Sequence, residues 1–111
     1  MSHQRYQACI DECLRCMQAC NHCYDACLNE NNMAMMKECI RLGVECAAIC
    51  SFAAEAMSRN SPYVHQICEL CAKICEACGT ECKKHSEAHC QQCAEACFKC
   101  AEICKNMMVA A

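Results

Sequence analysis

Cysteine recurs along this chain at steps of three and four residues, beginning with Cys9, Cys13, Cys16, Cys20, Cys23 and Cys27. Steps of three and four connect neighbours on one face of an α-helix. At ~100° per residue these six thiols fall within an arc of roughly 80°. Asp11, Arg15, Gln18, His22 and Asp25 fall on the opposite side, so the segment is amphipathic and its sulfur face is the one to be buried.

The pattern returns with Cys68, Cys71, Cys75, Cys78 and Cys82, and again with Cys90, Cys93, Cys97, Cys100 and Cys104. Each set occupies an arc of roughly 80°. Between them Cys39, Cys46 and Cys50 form a thinner seam, which Met36, Gly43, Ala53 and Met57 complete at helical spacing. Ordinary core formers are scarce, since Leu, Ile, Val and Phe together number 15 of 111 residues while cysteine alone numbers 19. A chain below ~20% in those four residues is normally suspected of disorder. Here sulfur must stand in for the missing hydrocarbon.

Segment ends are written as polar breaks. The run 29–32 (NENN) offers asparagine caps, Ser61 and Pro62 suit an N-cap and a first turn, Lys83 and Lys84 suit a helix C-terminus, and Ser86 suits the next N-cap. Four helices of ~22–26 residues result, and short joins make neighbours antiparallel. The expected fold is all-α: one domain over 1–111, an up-down-up-down four-helix bundle with a cysteine-lined core. Ile10, Leu14, Met17 and Leu28, with Ile67, Leu70 and Ile74, lie beside the thiol seams. Helix–helix packing is their first reading and contact between copies their second.

One buried cysteine reads as a small hydrophobe; nineteen on matching helical faces do not. Disulfides suit the pattern poorly, because helix neighbours have Cβ atoms ~5–6 Å apart and a disulfide needs ~3.8 Å. The count is also odd. Six CxxC pairs, Cys13/Cys16, Cys20/Cys23, Cys68/Cys71, Cys75/Cys78, Cys90/Cys93 and Cys97/Cys100, point to thiolate metal binding. Charge selects the metal. A closed Cys₄ zinc site keeps a net −2 per ion, and 19 thiols would serve four or five ions. With Cu(I), each thiolate can bridge two ions and each ion can take two thiolates. Capacity is then about one ion per cysteine and the filled core is near neutral. A zinc or mixed-metal thiolate buffer, and an Fe–S electron-transfer protein, remain the alternatives. The ferredoxin spacing C-x₂-C-x₂-C-x₃-C-P is absent.

Other classes fit less well. A net charge of −3 without a basic block argues against nucleic acid. There is no run of ~18 apolar residues for a membrane span. The start MSHQRYQACIDEC lacks the pattern of a secretory signal, so a cytoplasmic location is expected. No thiol is singled out by a base and an orienting group, so no enzyme is expected.

These stripes, Cys9 to Cys27, Cys39 to Cys50, Cys68 to Cys82 and Cys90 to Cys104, resemble those of the bacterial four-helix-bundle copper storage proteins, in particular their cytosolic branch. The resemblance spans essentially the whole chain. It implies a core holding many Cu(I) ions and association into homotetramers. A copper chaperone or a copper-requiring enzyme is a candidate exchange partner. The thin second helix is a departure from uniform stripes.

In an antiparallel bundle one end gathers Cys27, Met36, His85 and His89. Imidazole and thioether there would hold Cu(I) more weakly than bridging thiolates do, making this end a candidate mouth with His85 and His89 as candidate ligands. The other end gathers Tyr6, Met57, His65 and Met107, read as a plug. His3 and His22 read as exposed and carry no role.

Overall fold

The computed structural model describes residues 5–110, with side chains from 5 to 107. Four α-helices account for nearly all of it: α1 (Gln7–Leu28), α2 (Lys37–Ser58), α3 (Val64–Lys83) and α4 (Ala88–Ala110). A 3₁₀ turn, Met33–Met36, precedes α2. No strand is present among the described residues. The helices have 22, 22, 20 and 23 residues. α3 is shorter than expected because Pro62 and Tyr63 lie in a turn before it.

Helix α1 packs on α2, α2 on α3 and α3 on α4, and α4 closes the ring against α1. The molecule measures 48 × 20 × 18 Å. Sulfur contacts fix the antiparallel sense. Cys23 near the end of α1 meets Cys39 near the start of α2 at 3.9 Å, Cys39 meets Cys82 at the end of α3 at 3.3 Å, and Cys23 meets Cys90 at the start of α4 at 4.0 Å. At the opposite end Cys9 meets Cys104 at 3.7 Å. The expected up-down-up-down bundle is the one observed.

The turns use chemistry only partly visible beforehand. α2 ends in a Schellman motif: Asn60 takes a left-handed φ of 54°, Asn60 N–H donates to the Met57 carbonyl at 3.2 Å, and Ser61 N–H donates to the Ala56 carbonyl at 2.9 Å. Ser61 Oγ then accepts from Tyr63 N–H at 3.1 Å, opening the turn that leads into α3. Ser86 is not a cap. Gln91 Nε2 reaches back to the Lys83 carbonyl at 3.1 Å and to that of His85, tying α4 to the end of α3. Close approach of α3 and α4 also needs Gly79, where a Cβ would stand 2.9 Å from the Phe98 ring.

All nineteen cysteines are buried. The α2 seam is the one expected, with Met36, Ala53 and Met57 no more than 1% exposed and Gly43 buried among them. The flanking residues divide. Ile10 is buried and Met17, Ile67 and Ile74 pack against the core, whereas Leu14, Leu28 and Leu70 are between 43% and 49% exposed.

Candidate metal centre

Because each helix turns one sulfur face inward, the thiols meet along the bundle axis as a column. Sγ–Sγ contacts of 3.3–4.0 Å link helix to helix: Cys13 to Cys100 at 3.7 Å, Cys50 to Cys75 at 3.6 Å, Cys46 to Cys16 at 3.7 Å, and Cys20 to Cys93 at 3.7 Å. Groups of four close to within 4.8 Å of one another, among them Cys13/Cys71/Cys100/Cys104, Cys16/Cys46/Cys50/Cys75, Cys20/Cys78/Cys93/Cys97 and Cys23/Cys27/Cys39/Cys90. A further group, Cys16/Cys20/Cys46/Cys97, shares two thiols with each of two others. Adjacent groups therefore merge. Cys68, 1% exposed, joins the column near Cys9 and Cys104.

A metal–thiolate bond of ~2.3 Å requires sulfurs ~3.8 Å apart around a tetrahedral ion and ~4.6 Å apart across a linear one. Both lie inside the spacing of these groups, so distance alone does not select the ion. Charge does. Among the described residues the buried polar side chain is Glu12, itself anionic and paired with Arg15 at 3.4 Å on the outside of the column. Among the described residues no cationic side chain is buried beside the sulfurs. Four filled tetrahedral Cys₄ zinc groups would leave about −8 in a buried space, whereas bridged monovalent ions leave the column near neutral.

Without metal, the thiols resist ionisation unevenly. Burial, then the neighbouring Cys39 charge, pushes the Cys27 thiol up to about 11. Burial, then Cys39 and Cys27, pushes Cys90 up as well. Cys39 goes the other way, because S–H groups of Cys23 and Cys82 donate to its sulfur and hold it well below the ordinary thiol range.

The two candidate histidines part company. His89 Nδ1 lies 3.5 Å from Cys23 Sγ, 3.6 Å from Cys90 Sγ and 3.9 Å from Cys27 Sγ, which places an imidazole against the outermost thiols. Its Nε2 meets Glu30 Oε2 at 2.9 Å. His85 instead pairs with Glu81 of α3 at 3.0 Å and touches no thiol among the described contacts. Met36 lies buried at the same end. Sequence reasoning missed Glu30, and no local signal marks it, since its partner is 59 residues away. At the far end Tyr6, Met57 and Val64 are buried and Met107 packs against them, while His65 is exposed and takes no part in the plug. The first turn of α3 buries Val64 and carries the next side chain outward. His22 is exposed as expected, and His3 lies outside the described residues.

A bundle that converges nineteen thiols on its axis, with an imidazole at one end and an apolar cover at the other, is a multi-thiolate metal-binding protein. The family model of the copper storage proteins (Csp) matches residues 2–109, and the chain belongs to that family. It is 56% identical over 86 residues, 78% of this chain and 80% of the relative, to the uncharacterised cysteine-rich protein YhjQ of Bacillus subtilis strain 168. Among solved structures it is similar to the Cu(I)-bound copper storage protein BsCsp3 of Bacillus subtilis, with a TM-score of 0.90, 55% identity, and coverage of 93% of this chain and 97% of that one. It is also similar to the copper storage protein Ccsp of Streptomyces lividans loaded with 10 copper equivalents, with a TM-score of 0.91, 41% identity, and coverage of 94% of this chain and 83% of that one.

Proposed function

We propose that this protein stores Cu(I) and thereby buffers the cytoplasm against it, with no catalytic step. The nineteen thiolates, Cys9 to Cys104, are the ligands, and capacity is about one ion per cysteine. His89 serves as a terminal donor at the mouth; His85, held by Glu81, is its weaker partner there. The observation that carries this reading is a continuous sulfur column, no part of which is more than 3% exposed, with no cationic side chain buried beside it among the described residues. Only ions that neutralise thiolates nearly one for one can fill such a space without stranding charge.

Anaerobic titration of the reduced protein with Cu(I) against a coloured chelator tests it. Saturation near the thiol count supports storage. Saturation near a quarter of that count is the zinc-type outcome, and visible charge-transfer colour after reconstitution with iron and sulfide is the Fe–S outcome.

Copies of the chain assemble through the α1–α2 face, as a homotetramer by analogy with the family. Leu14, Tyr24 and Val44 are exposed there around a groove floored by Ala47, Ala48 and Ser51, an apolar surface suited to a second copy. A copper chaperone or copper-requiring enzyme would exchange ions at the His89 end. No helix of the described residues is long and apolar enough to cross a membrane.

A further inference from the structure

We infer that Glu30 is a positioning residue, a latch that holds His89 over the outermost thiols and slows the loss of ions from that end. The inference rests on the storage reading above for the identity of the ion, and on geometry for the latch itself.

A carboxylate only accepts hydrogen bonds, so the 2.9 Å contact between Glu30 Oε2 and His89 Nε2 places the ring proton on Nε2. The lone pair of the neutral ring is then on Nδ1, the atom that faces Cys23, Cys90 and Cys27. Remove the acceptor, and nothing among the described contacts fixes either the tautomer or the ring's orientation.

Glu30 is itself well placed to act from outside the column. Its backbone N–H donates to the Cys27 carbonyl at 3.2 Å, so the turn that ends α1 anchors both a candidate ligand and the latch. Among the described residues its carboxylate has no Lys or Arg partner, and His89 is its contact. Its bond to His89 joins the α1–α2 link to α4 across 59 residues of sequence.

The chemistry needs such a group here. An ion inside the column finds thiolates on either side, but an ion at the group Cys23/Cys27/Cys39/Cys90 has no further thiolate beyond it. A neutral nitrogen can complete its coordination without adding negative charge. Carboxylates bound to the far nitrogen of a ligating imidazole commonly change metal affinity ~10–100-fold when removed.

The test uses the full chain and the variants Glu30→Gln and Glu30→Ala. Two readouts are taken: ¹⁵N imidazole shifts of His89 in the metal-free protein, and the initial rate at which excess bicinchoninate strips the Cu(I)-loaded protein. Glu30→Gln keeps an oxygen acceptor and should retain the wild-type tautomer and a rate close to wild type. Glu30→Ala should lose the Nε2-protonated signature and release its first ions about 10-fold faster, with total capacity unchanged. A wild-type ¹⁵N pattern and rate in Glu30→Ala would overturn the latch, as would a Gln variant indistinguishable from Ala in the ¹⁵N spectrum. Failure of the storage reading would show separately, as a wild-type capacity far below the thiol count, and the metal-free ¹⁵N measurement would still decide the latch.

Discussion

Cys46 and Cys68 form a matched pair for asking whether copper capacity follows the sulfur contacts. Both are buried, at 0% and 1% exposure. Cys46 Sγ meets Cys16 at 3.7 Å, Cys75 at 3.6 Å and Cys97 at 3.8 Å, sulfurs of all three other helices, and belongs to two overlapping four-thiol groups. Cys68 sits at the Tyr6 end of the column, with Cys9 and Cys104 as its sulfur neighbours. Replacing either by Ala deletes one buried sulfur, which in the metal-free protein costs about 1 kcal/mol, the transfer energy of roughly one methylene plus a small cavity. Stability of the two metal-free variants should therefore be nearly equal. Capacity should not be. Where each thiolate bridges two ions, Cys46→Ala strips a ligand from two of them in the middle of the column and lowers saturation by about two ions, while Cys68→Ala lowers it by one at most. Thermal melts of the metal-free variants and anaerobic Cu(I) titration against a coloured chelator measure both quantities. Equal losses of copper from the two variants, or none from Cys46→Ala, would refute the bridging argument.

Copper loading should raise the melting temperature, because ions that bind the native state stabilise it by mass action. A single site at a thousand times its Kd adds ~4 kcal/mol, or about 15 °C or more for a chain of this size, and differential scanning calorimetry that finds equal melts with and without Cu(I) would count against sulfur and metal acting together as the core. Gly43→Ala should stabilise the metal-free protein by about 0.5–1 kcal/mol, since its Cβ would meet the Cys20 carbonyl at an ordinary 3.7 Å while a mid-helix glycine costs about that much; a lower denaturation midpoint would show that the seam has no room. Raising the pH should weaken the metal-free fold. Cys27 titrates at about 11 in the native state against an ordinary 9.0, and Cys90 is raised too. The native state thus holds protons that the unfolded chain has released. The stabilisation is complete below pH ~9 and is lost as pH rises through ~11. Urea melts from pH 8 to 11 should show a falling midpoint without metal and a flat one with Cu(I), whose bound thiolates have already given up their protons.

The sulfur column was legible because its signal is local. A stripe at three- and four-residue steps fixes which face of each helix turns inward, and that reached even the thin α2 seam, where Met36, Gly43, Ala53 and Met57 were assigned from phase alone and are buried. Helix ends were less legible, because a cap depends on competing donors. Ser86 has the right side chain for one, yet α4 begins at Ala88 and it is the Glu87 carbonyl that accepts from the Cys90 and Gln91 N–H groups. Contacts set by tertiary geometry were not legible at all. His89 and His85 are equivalent in sequence, four residues apart beside the same turn, and differ because the turn ending α1 brings Glu30 to one while Glu81 of α3 takes the other. Leu14, Leu28 and Leu70 share spacing with buried flank residues yet are exposed, because spacing alone does not say how far a neighbouring helix reaches over a flank.

The sparse helix has a part in this arrangement. α2 supplies three thiols, at Cys39, Cys46 and Cys50, and its seam is bounded by thioethers, Met36 on one side and Met57 on the other. Alanines at 53, 54 and 56 fill the stretch between Cys50 and Met57 with small buried apolar side chains that offer no donor. The two ends of the column are thereby unequal. Toward Met57, the column is closed by the buried side chains of Tyr6, Val64 and Met57 itself. Toward Met36, it ends in four thiols within 4.8 Å of one another, under an imidazole. The positions of a few methionines and alanines on the poorest helix thus make the two ends of the bundle chemically different, one bearing an imidazole beside four thiols and the other an apolar cover.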